Sequence, residues 1–395
     1  MSDTQQWLER AGNSLIQNYG RSPVLMERGD GCWVWDADGK KYLDLFAGFG
    51  GCVLGHCHPE LVAAAAKQAG KLWHVGNALH TKPQIEFAER IKKHAFDGRA
   101  FFCHSGLEAN EAAVKLARLR GLADGGKKWK TVSLLKSFHG RSLAMIAATG
   151  NTAVKEGFGP MVPGFTNVDP LDLAAIEAAV DDETCAIIME PIQGEGGVNL
   201  YPPGHVQAIR DLCDRRGLTL IFDEVWTGCG RTGEWFAHQH DKVLPDILTL
   251  GKAVGGGLPV GVMYARPEIA KLMVPGRHGC TLGGNPICMA VSRTIFEVIE
   301  RDNLVAHAAA LGEKAVAKLG KLVGQGKVAE VRGRGLFLGI ELATEPADFA
   351  NKALARNVII NLTAKKVIRL APPINIDAAT WDEGLGRVID LINAL

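Results

Sequence analysis

The chain has 395 residues, of which 47% are apolar and 22% are charged, and its formal net charge is +1. This length exceeds one ordinary hydrophobic core, so we expect a globular protein with two or more domains. Balanced charge without a long basic run argues against nucleic acid or a membrane surface as a partner, and no apolar run reaches the roughly 18 residues of a membrane span.

The N-terminal segment is polar at residues 1–6 and lacks the apolar stretch of a secretory signal, so we expect a cytoplasmic protein. Nine scattered cysteines without a CxxC pair agree with reduced thiols in that compartment. The run His56-Cys57-His58 suggests a metal site, but adjacent side chains point in different directions and no second ligand pair lies at zinc spacing. We therefore predict no metal.

The first predicted elements are two strands, residues 32–35 and 42–45, which the turn at residues 36–41 joins into a β-hairpin. From about residue 60 to residue 265, strand-like and helix-like segments alternate, which predicts a largely parallel sheet covered by helices. The strands of this region are predicted at residues 100–103, 131–135, 186–189, 218–223 and 246–250. Helices are predicted from about Leu107 and over His205–Arg216, the second ending at Gly217.

The pattern changes after about residue 290. Apolar side chains recur at helical spacing from Ala308 to Leu322, and strand-like segments follow at residues 335–340 and 367–370. The segment 380–383 is predicted to be a capping box that opens the last helix. We predict a second, α+β domain onto which the N-terminal segment folds. The predicted divisions are residues 1–55, 56–288 and 289–395.

Asp223 and Lys252 are the most informative residues. The apolar segment 218–222 ends in Asp223, and the segment 246–250 leads to Lys252 and the glycine run 255–257. The carboxyl ends of parallel strands meet at the ligand-binding edge of an open α/β sheet, so we expect both side chains in one crevice. A lysine that forms a Schiff base and a carboxylate that keeps a pyridine nitrogen protonated suit pyridoxal phosphate. The glycines follow the lysine, so this is not a Walker loop.

Two further motifs follow predicted strands. Ser105, Gly106 and Leu107 open a helix, where free backbone N–H groups can bind phosphate, although the same pattern is a common helix N-cap. Phe138 and Arg141 follow the next strand. They are suited to stack on a ring and to bind a carboxylate, or they are an ordinary core side chain and a surface charge.

Acidic and basic residues also occur at later strand ends. Glu190 and Glu195 lie in the loop 190–197, which is either a solvated acidic loop or part of a site. Arg369 lies in an apolar strand and needs a carboxylate partner, which is either structural or a substrate.

Taken in order, these motifs resemble the class III (ω-amino) aminotransferases of fold type I. The resemblance covers nearly the whole chain, from residues 42–45 to 369–373. It implies an α/β fold whose large domain binds pyridoxal 5′-phosphate on a mostly parallel seven-stranded sheet, with a smaller α+β domain. Within the family, residues 138–141, 190–197 and the strand of Arg369 are most similar to the acetylornithine aminotransferase group.

The resemblance implies roles for the residues that would bind the cofactor. Lys252 would be the Schiff-base lysine and Asp223 the partner of the pyridine nitrogen. Ser105, Gly106 and Leu107 would form the phosphate turn.

The resemblance also implies which residues contact the cofactor ring and the neighbouring subunit. Phe138 would stack on one face of the cofactor ring and Val225 on the other. Thr281 would reach the phosphate of the neighbouring subunit, which implies a homodimer with shared sites.

Arg141 and Arg369 would bind substrate carboxylates, and Glu195 would pair with Arg369 when no substrate carboxylate is present. Two positions depart from the family pattern. Leu107 stands where many members have Thr, and Trp226 stands where the family usually has a Gln that donates to the phenolic oxygen of the cofactor. An indole N–H replaces that donor only from a different position.

The resemblance implies transfer of the terminal amino group of N2-acetylornithine to 2-oxoglutarate, giving N-acetylglutamate 5-semialdehyde and glutamate in arginine biosynthesis. Acetylornithine would place its carboxylate on Arg141, and glutamate would use Arg141 and Arg369. The alternatives are another ω-aminotransferase, acting on ornithine, succinylornithine, 4-aminobutyrate or a diamine, and a non-catalytic protein of the same fold. The sequence does not settle the acyl group.

Overall fold

The structure is a computed structural model that describes residues 3–395, so residues 1–2 of the predicted N-terminal segment lie outside the described part. The strands, in chain order, are β1 (Met26–Asp30), β2 (Trp33–Asp36), β3 (Lys41–Asp44), β4 (Arg99–Cys103), β5 (Lys130–Leu134), β6 (Phe165–Val168), β7 (Thr184–Met189), β8 (Thr219–Asp223), β9 (Ile247–Leu250), β10 (Gly261–Ala265), β11 (Val328–Arg334), β12 (Phe337–Leu342), β13 (Val358–Ile359), β14 (Asn361–Thr363) and β15 (Val367–Leu370).

The α-helices, in chain order, are α1 (Asp3–Ser14), α2 (Ala47–Gly50), α3 (Pro59–Ala69), α4 (Lys82–His94), α5 (Gly106–Gly121), α6 (Leu143–Ala148), α7 (Leu173–Ala178), α8 (His205–Arg216), α9 (His238–Asp241), α10 (Pro267–Ala270), α11 (Pro286–Arg301), α12 (Leu304–Gly320), α13 (Phe349–Ala355) and α14 (Ala378–Ala394). Short 3₁₀ turns lie at Ala123–Gly125, Thr152–Lys155 and Lys252–Gly255. Among the described residues, none of these helices is both long and apolar enough to span a membrane.

The central sheet has seven strands in the order β4-β10-β9-β8-β7-β5-β6. Strand β10 runs antiparallel to both of its neighbours, and the remaining pairs are parallel. Every residue of β7, β8 and β9 is buried, as expected for strands covered on both faces. The predicted mostly parallel seven-stranded sheet is therefore confirmed.

Two smaller sheets complete the fold. One has the order β11-β12-β15-β14, and the other has the order β1-β2-β3-β13. In the second sheet, β3 pairs parallel with β13, and Leu43 lies opposite Val358. An early strand and a late strand thus share one sheet, while the domain divisions near residues 55 and 288 stay a prediction.

The local predictions were accurate where a turn or a cap was clear. The hairpin is formed by β2 and β3, and α8 ends at Gly217, which adopts the left-handed conformation with φ +62°. The predicted capping box was wrong. Helix α14 begins at Ala378, because the carboxylate of Asp377 accepts a hydrogen bond from the backbone N–H of Thr380 and caps the helix earlier.

Candidate active site

A cavity of about 410 Å³ opens where β4, β5, β8 and β9 end. The predicted site residues that line it are Ser105, Gly106, Leu107, Phe138, Arg141, Asp223, Val225, Trp226 and Lys252. Glu195 and Arg369 lie behind Trp226 and contact it. Thr281 is exposed and does not line the cavity of its own chain. The fold thus brings all of the predicted site residues except Thr281 to one place.

Asp223 ends β8, is only 4% exposed, and is held in one orientation. Its Oδ2 accepts a hydrogen bond from Asn110 Nδ2 at 2.7 Å and lies 2.8 Å from His139 Nδ1. Its Oδ1 accepts a hydrogen bond from the backbone N–H of Val225 at 3.1 Å. Asn110 is itself oriented by Thr249, whose hydroxyl donates to Asn110 Oδ1. The sequence analysis assigned no function to Asn110 or His139.

Lys252 follows β9 and begins a 3₁₀ turn with φ +47°, a left-handed conformation that is uncommon for a residue with a side chain. Its Nζ lies 4.0 Å from the centroid of the Trp226 ring. Burial lowers the pKa of Lys252 to about 8, and the charge of Arg369 acts in the same direction against those of Glu195 and Asp223. A substantial fraction of this amine is therefore neutral near physiological pH, as a nucleophile or base requires.

The turn between β4 and α5 fits a phosphate. Ser105 is the N-cap of α5, and its hydroxyl accepts a hydrogen bond from the backbone N–H of Glu108. A Cβ atom at Gly106 would lie 2.4 Å from Val225 Cγ2, so this position requires glycine. The free N–H groups and positive end of a helix are suited to an anion.

Arg369 is completely buried, and its guanidinium forms an ion pair with Glu195 in which Nη1 and Oε1 are 3.0 Å apart. Arg369 Nη2 donates to Asn361, but Nε and Nη1 have no partner with good hydrogen-bond geometry among residues 3–395. Nε therefore remains available to another carboxylate, and Nη1 becomes available when Glu195 moves away. This contact agrees with the expected pairing of Glu195 and Arg369.

Burial acts to raise the pKa of Glu195, but the charges of Arg369 and Lys252 and the hydrogen bonds from Arg369 and Trp226 outweigh it and lower that pKa overall. Trp226 Nε1 donates to Glu195 Oε1 at 3.1 Å. The indole N–H is thus bonded to a protein carboxylate.

Arg141, the second predicted substrate-binding arginine, is exposed. Its guanidinium carbon lies 5.5 Å from the centroid of the Phe138 ring.

Glu190 is a cavity residue that the sequence analysis left between two interpretations. The interpretation as a solvated acidic side chain is wrong for Glu190, because this residue is only 3% exposed. Its carboxylate accepts hydrogen bonds from the backbone N–H groups of Phe138 and Gly194, each at 2.9 Å. Burial and the nearby charge of Asp223 raise the pKa of Glu190 to about 7. Glu190 therefore joins the two loops that carry Phe138 and Glu195.

Beside the cavity, His104, Glu108 and Cys280 bring metal-ligand atoms within 4.8 Å of one another. His104 Nδ1 lies 3.1 Å from Glu108 Oε1 and 3.3 Å from Cys280 Sγ, so hydrogen bonding among the three accounts for their grouping. His56, from the motif first considered for metal, lies 2.9 Å from Asp44. The absence of a metal site stays a prediction.

The side chains at the cavity match the parts of one cofactor. Asp223 has one oxygen occupied by two side chains and is suited to hold a proton on a ring nitrogen, and Lys252 has the lowered pKa of a reactive amine. The glycine-dependent turn at Gly106 suits the phosphate. These features fit pyridoxal phosphate, and with this fold they define an enzyme of fold type I that depends on it.

The family model described as "Aminotransferase class-III" matches residues 16–392. The chain belongs to the class-III aminotransferase family. A relative from Myxococcus xanthus named acetylornithine aminotransferase is 40% identical over 96% of this chain and 96% of its own length. A relative of the same name from Methanocaldococcus jannaschii is 42% identical over 99% of this chain and 97% of its own length.

Solved structures agree with the fold. The ornithine aminotransferase of Toxoplasma gondii superposes with a TM-score of 0.95 at 31% identity, covering 100% of this chain and 96% of that one. The acetylornithine aminotransferase of Elizabethkingia anophelis superposes with a TM-score of 0.88 at 30% identity, covering 100% of both chains.

Proposed function

We propose that this aminotransferase moves the terminal amino group of N2-acetylornithine to 2-oxoglutarate, giving N-acetylglutamate 5-semialdehyde and glutamate in arginine biosynthesis. The observation that carries the proposal is the ion pair between the buried Arg369 and the partly exposed Glu195, next to Lys252. A site that accepts a donor with one carboxylate and then an acceptor with two needs a cation that can be neutralised and exposed in turn. The names of the curated relatives described above support acetylornithine as the donor.

Pyridoxal phosphate, when bound, supplies an aldehyde that condenses with amines and a ring that accepts electrons. Lys252 is the residue we assign to hold the aldehyde, and its neutral Nζ takes the proton from the substrate carbon that bears the nitrogen. Asp223 holds a proton at the ring nitrogen. Phe138 and Val225, which both line the cavity, are assigned to cover the two faces of the ring.

The phosphate is assigned to the turn of Ser105, Gly106 and Leu107. Backbone N–H groups supply the contacts there, so the apolar side chain of Leu107 removes only a possible hydroxyl donor. Trp226 adds apolar surface at the cavity wall.

The substrates are proposed to use the two arginines unequally. Acetylornithine presents its terminal amine to Lys252 and places its carboxylate on Arg141, while Glu195 neutralises Arg369. Glutamate presents its α-amine to Lys252 and places one carboxylate on each arginine, after Glu195 has moved away. Arg141 is exposed, so it is accessible in both cases.

We also propose a cytoplasmic homodimer. Thr281 is exposed and lies outside the cavity of its own chain, which suits a residue that reaches the phosphate of a neighbouring subunit. Sedimentation analysis of the wild type should give a dimer, and Thr281→Ala should weaken phosphate binding in it.

The donor is tested by mixing the yellow, cofactor-loaded enzyme with acetylornithine, ornithine, succinylornithine, 4-aminobutyrate or putrescine and following the visible spectrum. We expect kcat/KM for acetylornithine to exceed each of the others at least tenfold. The Lys252→Ala protein, purified in parallel, controls for contaminating host enzymes. A higher value for any other donor assigns the chain to a different ω-aminotransferase, and no spectral change with any donor supports the non-catalytic alternative.

A further inference from the structure

Trp226 lies between the charged groups of the site. The N–H at the edge of its indole donates to Glu195 Oε1, the same oxygen that pairs with Arg369. The face of the ring lies 4.1 Å from the guanidinium carbon of Arg369 and 4.0 Å from Lys252 Nζ. The positive edge of an aromatic ring suits an anion and its negative face suits a cation. One side chain therefore contacts the acid and both cations in ways that stabilise all three.

The indole is held tightly in this orientation. Trp226 is only 5% exposed, and its ring stacks on Phe337 with centroids 5.4 Å apart. A Cβ atom at Gly50 would lie 2.6 Å from the indole, and one at Gly194 would lie 2.7 Å from it. Because ring and glycine backbone are in such close contact, the N–H has little freedom to follow Glu195 elsewhere.

The hydrogen bond from Trp226 adds to the ion pair that holds the Glu195 carboxylate. Arg369 and Trp226 both contact Glu195 Oε1, and both contacts favour the charged carboxylate by lowering its pKa. If Glu195 moves away from Arg369, a buried N–H loses its acceptor. An unsatisfied buried donor is costly, particularly when the lost acceptor is charged.

We propose that Trp226 is a specificity-determining residue that holds Glu195 on Arg369 and so weakens the binding of dicarboxylates relative to substrates with one carboxylate. This inference rests on the proposed function, in which Arg369 must be released for the second substrate. Trp226 acts through Glu195, so it is a positioning residue. A substitution that keeps an aromatic ring but removes the N–H can therefore distinguish its hydrogen bond from its packing.

The test compares the wild type with Trp226→Phe, which keeps an aromatic face beside both cations and removes the donor. Isothermal titration of the cofactor-loaded proteins would measure the dissociation constants of glutarate, a dicarboxylate, and pentanoate, a monocarboxylate of the same length. We expect Trp226→Phe to bind glutarate about tenfold more tightly and pentanoate within twofold of the wild type. Unchanged or weaker glutarate binding, or an equal gain for both ligands, would overturn the proposal.

Trp381→Phe is the matched control. The indole of Trp381 is also buried and donates to the backbone oxygen of Leu311, but it does not line the cavity. This variant should leave both constants unchanged.

A second pair of variants separates the lost hydrogen bond from a change in ring size. In a Glu195→Gln background the ion pair is absent, so adding Trp226→Phe should change glutarate affinity by less than twofold. A tenfold effect in that background contradicts the proposal. If acetylornithine fails as a donor while these affinities behave as expected, the proposed function fails and the role of Trp226 stands.

Discussion

The cavity contains two carboxylates that are held in opposite ways. Asp223 ends a fully buried strand, and two side chains and a backbone N–H donate to its oxygens or lie within hydrogen-bonding distance of them. Glu195 lies in the loop between β7 and α8, and its side chain is 28% exposed. It is held by one indole hydrogen bond and an ion pair. We call Asp223 the fixed acid and Glu195 the movable acid.

The two carboxylates differ in how many hydrogen-bond donors would lose an acceptor if the carboxylate moved. Moving the fixed acid would strand several buried donors at once, whereas moving the movable acid strands one N–H and frees a cation for another carboxylate. The fixed acid is thus suited to the cofactor, which both half-reactions share. The movable acid is suited to the feature that differs between the two substrates.

The largest effect is expected at Lys252, on which both acids act, since the charges of Glu195 and Asp223 both raise its pKa. Lys252→Ala should slow both half-reactions by roughly 10⁴-fold because the amine that we assign to proton transfer is lost. In the wild type, borohydride should fix the cofactor on the peptide that contains Lys252, as read by mass spectrometry. A variant that transaminates at the wild-type rate rules out this assignment.

The next largest effect concerns the fixed acid. Asp223→Asn keeps the shape and removes the charge, and we expect both half-reactions to fall at least a hundredfold, on the order of 3 kcal/mol. Glu195→Gln makes the same acid-to-amide change at the movable position and should leave the acetylornithine half-reaction within tenfold of the wild type. Equal losses in the two variants, measured by stopped flow, would remove the distinction between the acids.

A smaller and selective effect is expected at the partner of the movable acid. Arg369→Ala should slow the glutamate half-reaction at least ten times more than the acetylornithine half-reaction, because in the proposed function only glutamate places a carboxylate there. Glu195→Ala, which frees the arginine, should instead raise activity toward glutamate. The two half-reactions are compared in single turnovers, and a uniform loss in Arg369→Ala argues against the switch.

The smallest effect is expected on the pH dependence of the reaction between Lys252 and pyridoxal. In the cofactor-free protein, burial lowers the pKa of Lys252 to about 8, so its reaction with pyridoxal should rise with pH and be half-maximal near pH 8. Removing a negative charge disfavours the ammonium form, so Glu195→Gln should move the midpoint to lower pH. Asp182→Asn, at an exposed acid, is the control. A midpoint that stays in place in Glu195→Gln shows that the movable acid does not influence Lys252.

The sequence predicted the parts of this site that depend on local pattern. Asp223 and Lys252 were identified because apolar strands ending in charged residues indicate one edge of a parallel sheet. The orientation of Asp223 was not predictable in this way. Asn110 and His139 are 113 and 84 positions from Asp223 in the chain, and no periodicity relates residues that meet only after the sheet forms.

The same limit applies to Trp226 and β10. The sequence identified Trp226 as a departure from the family, but its hydrogen bond depends on how the loop of Glu195 folds back over it. The antiparallel direction of β10 was also not predictable from the sequence, because the apolar pattern of a buried strand is the same whichever way the strand runs. The cap of the last helix was placed three residues late, since both Asp377 and Thr380 are acceptable caps and only the fold selects between them.

The pairing of β3 with β13 has a consequence for how the protein forms during translation. All strands of the central sheet lie between residues 99 and 265, so that sheet can assemble while the ribosome is still making the rest of the chain. Strand β3 can pair with β2 early, but its other edge is paired only by β13, more than three hundred positions later, which is a costly, late contact. Arg369 emerges later still. The half of the cavity that contains the fixed acid is therefore able to form first, and the half that contains Arg369 is completed only when synthesis is nearly finished.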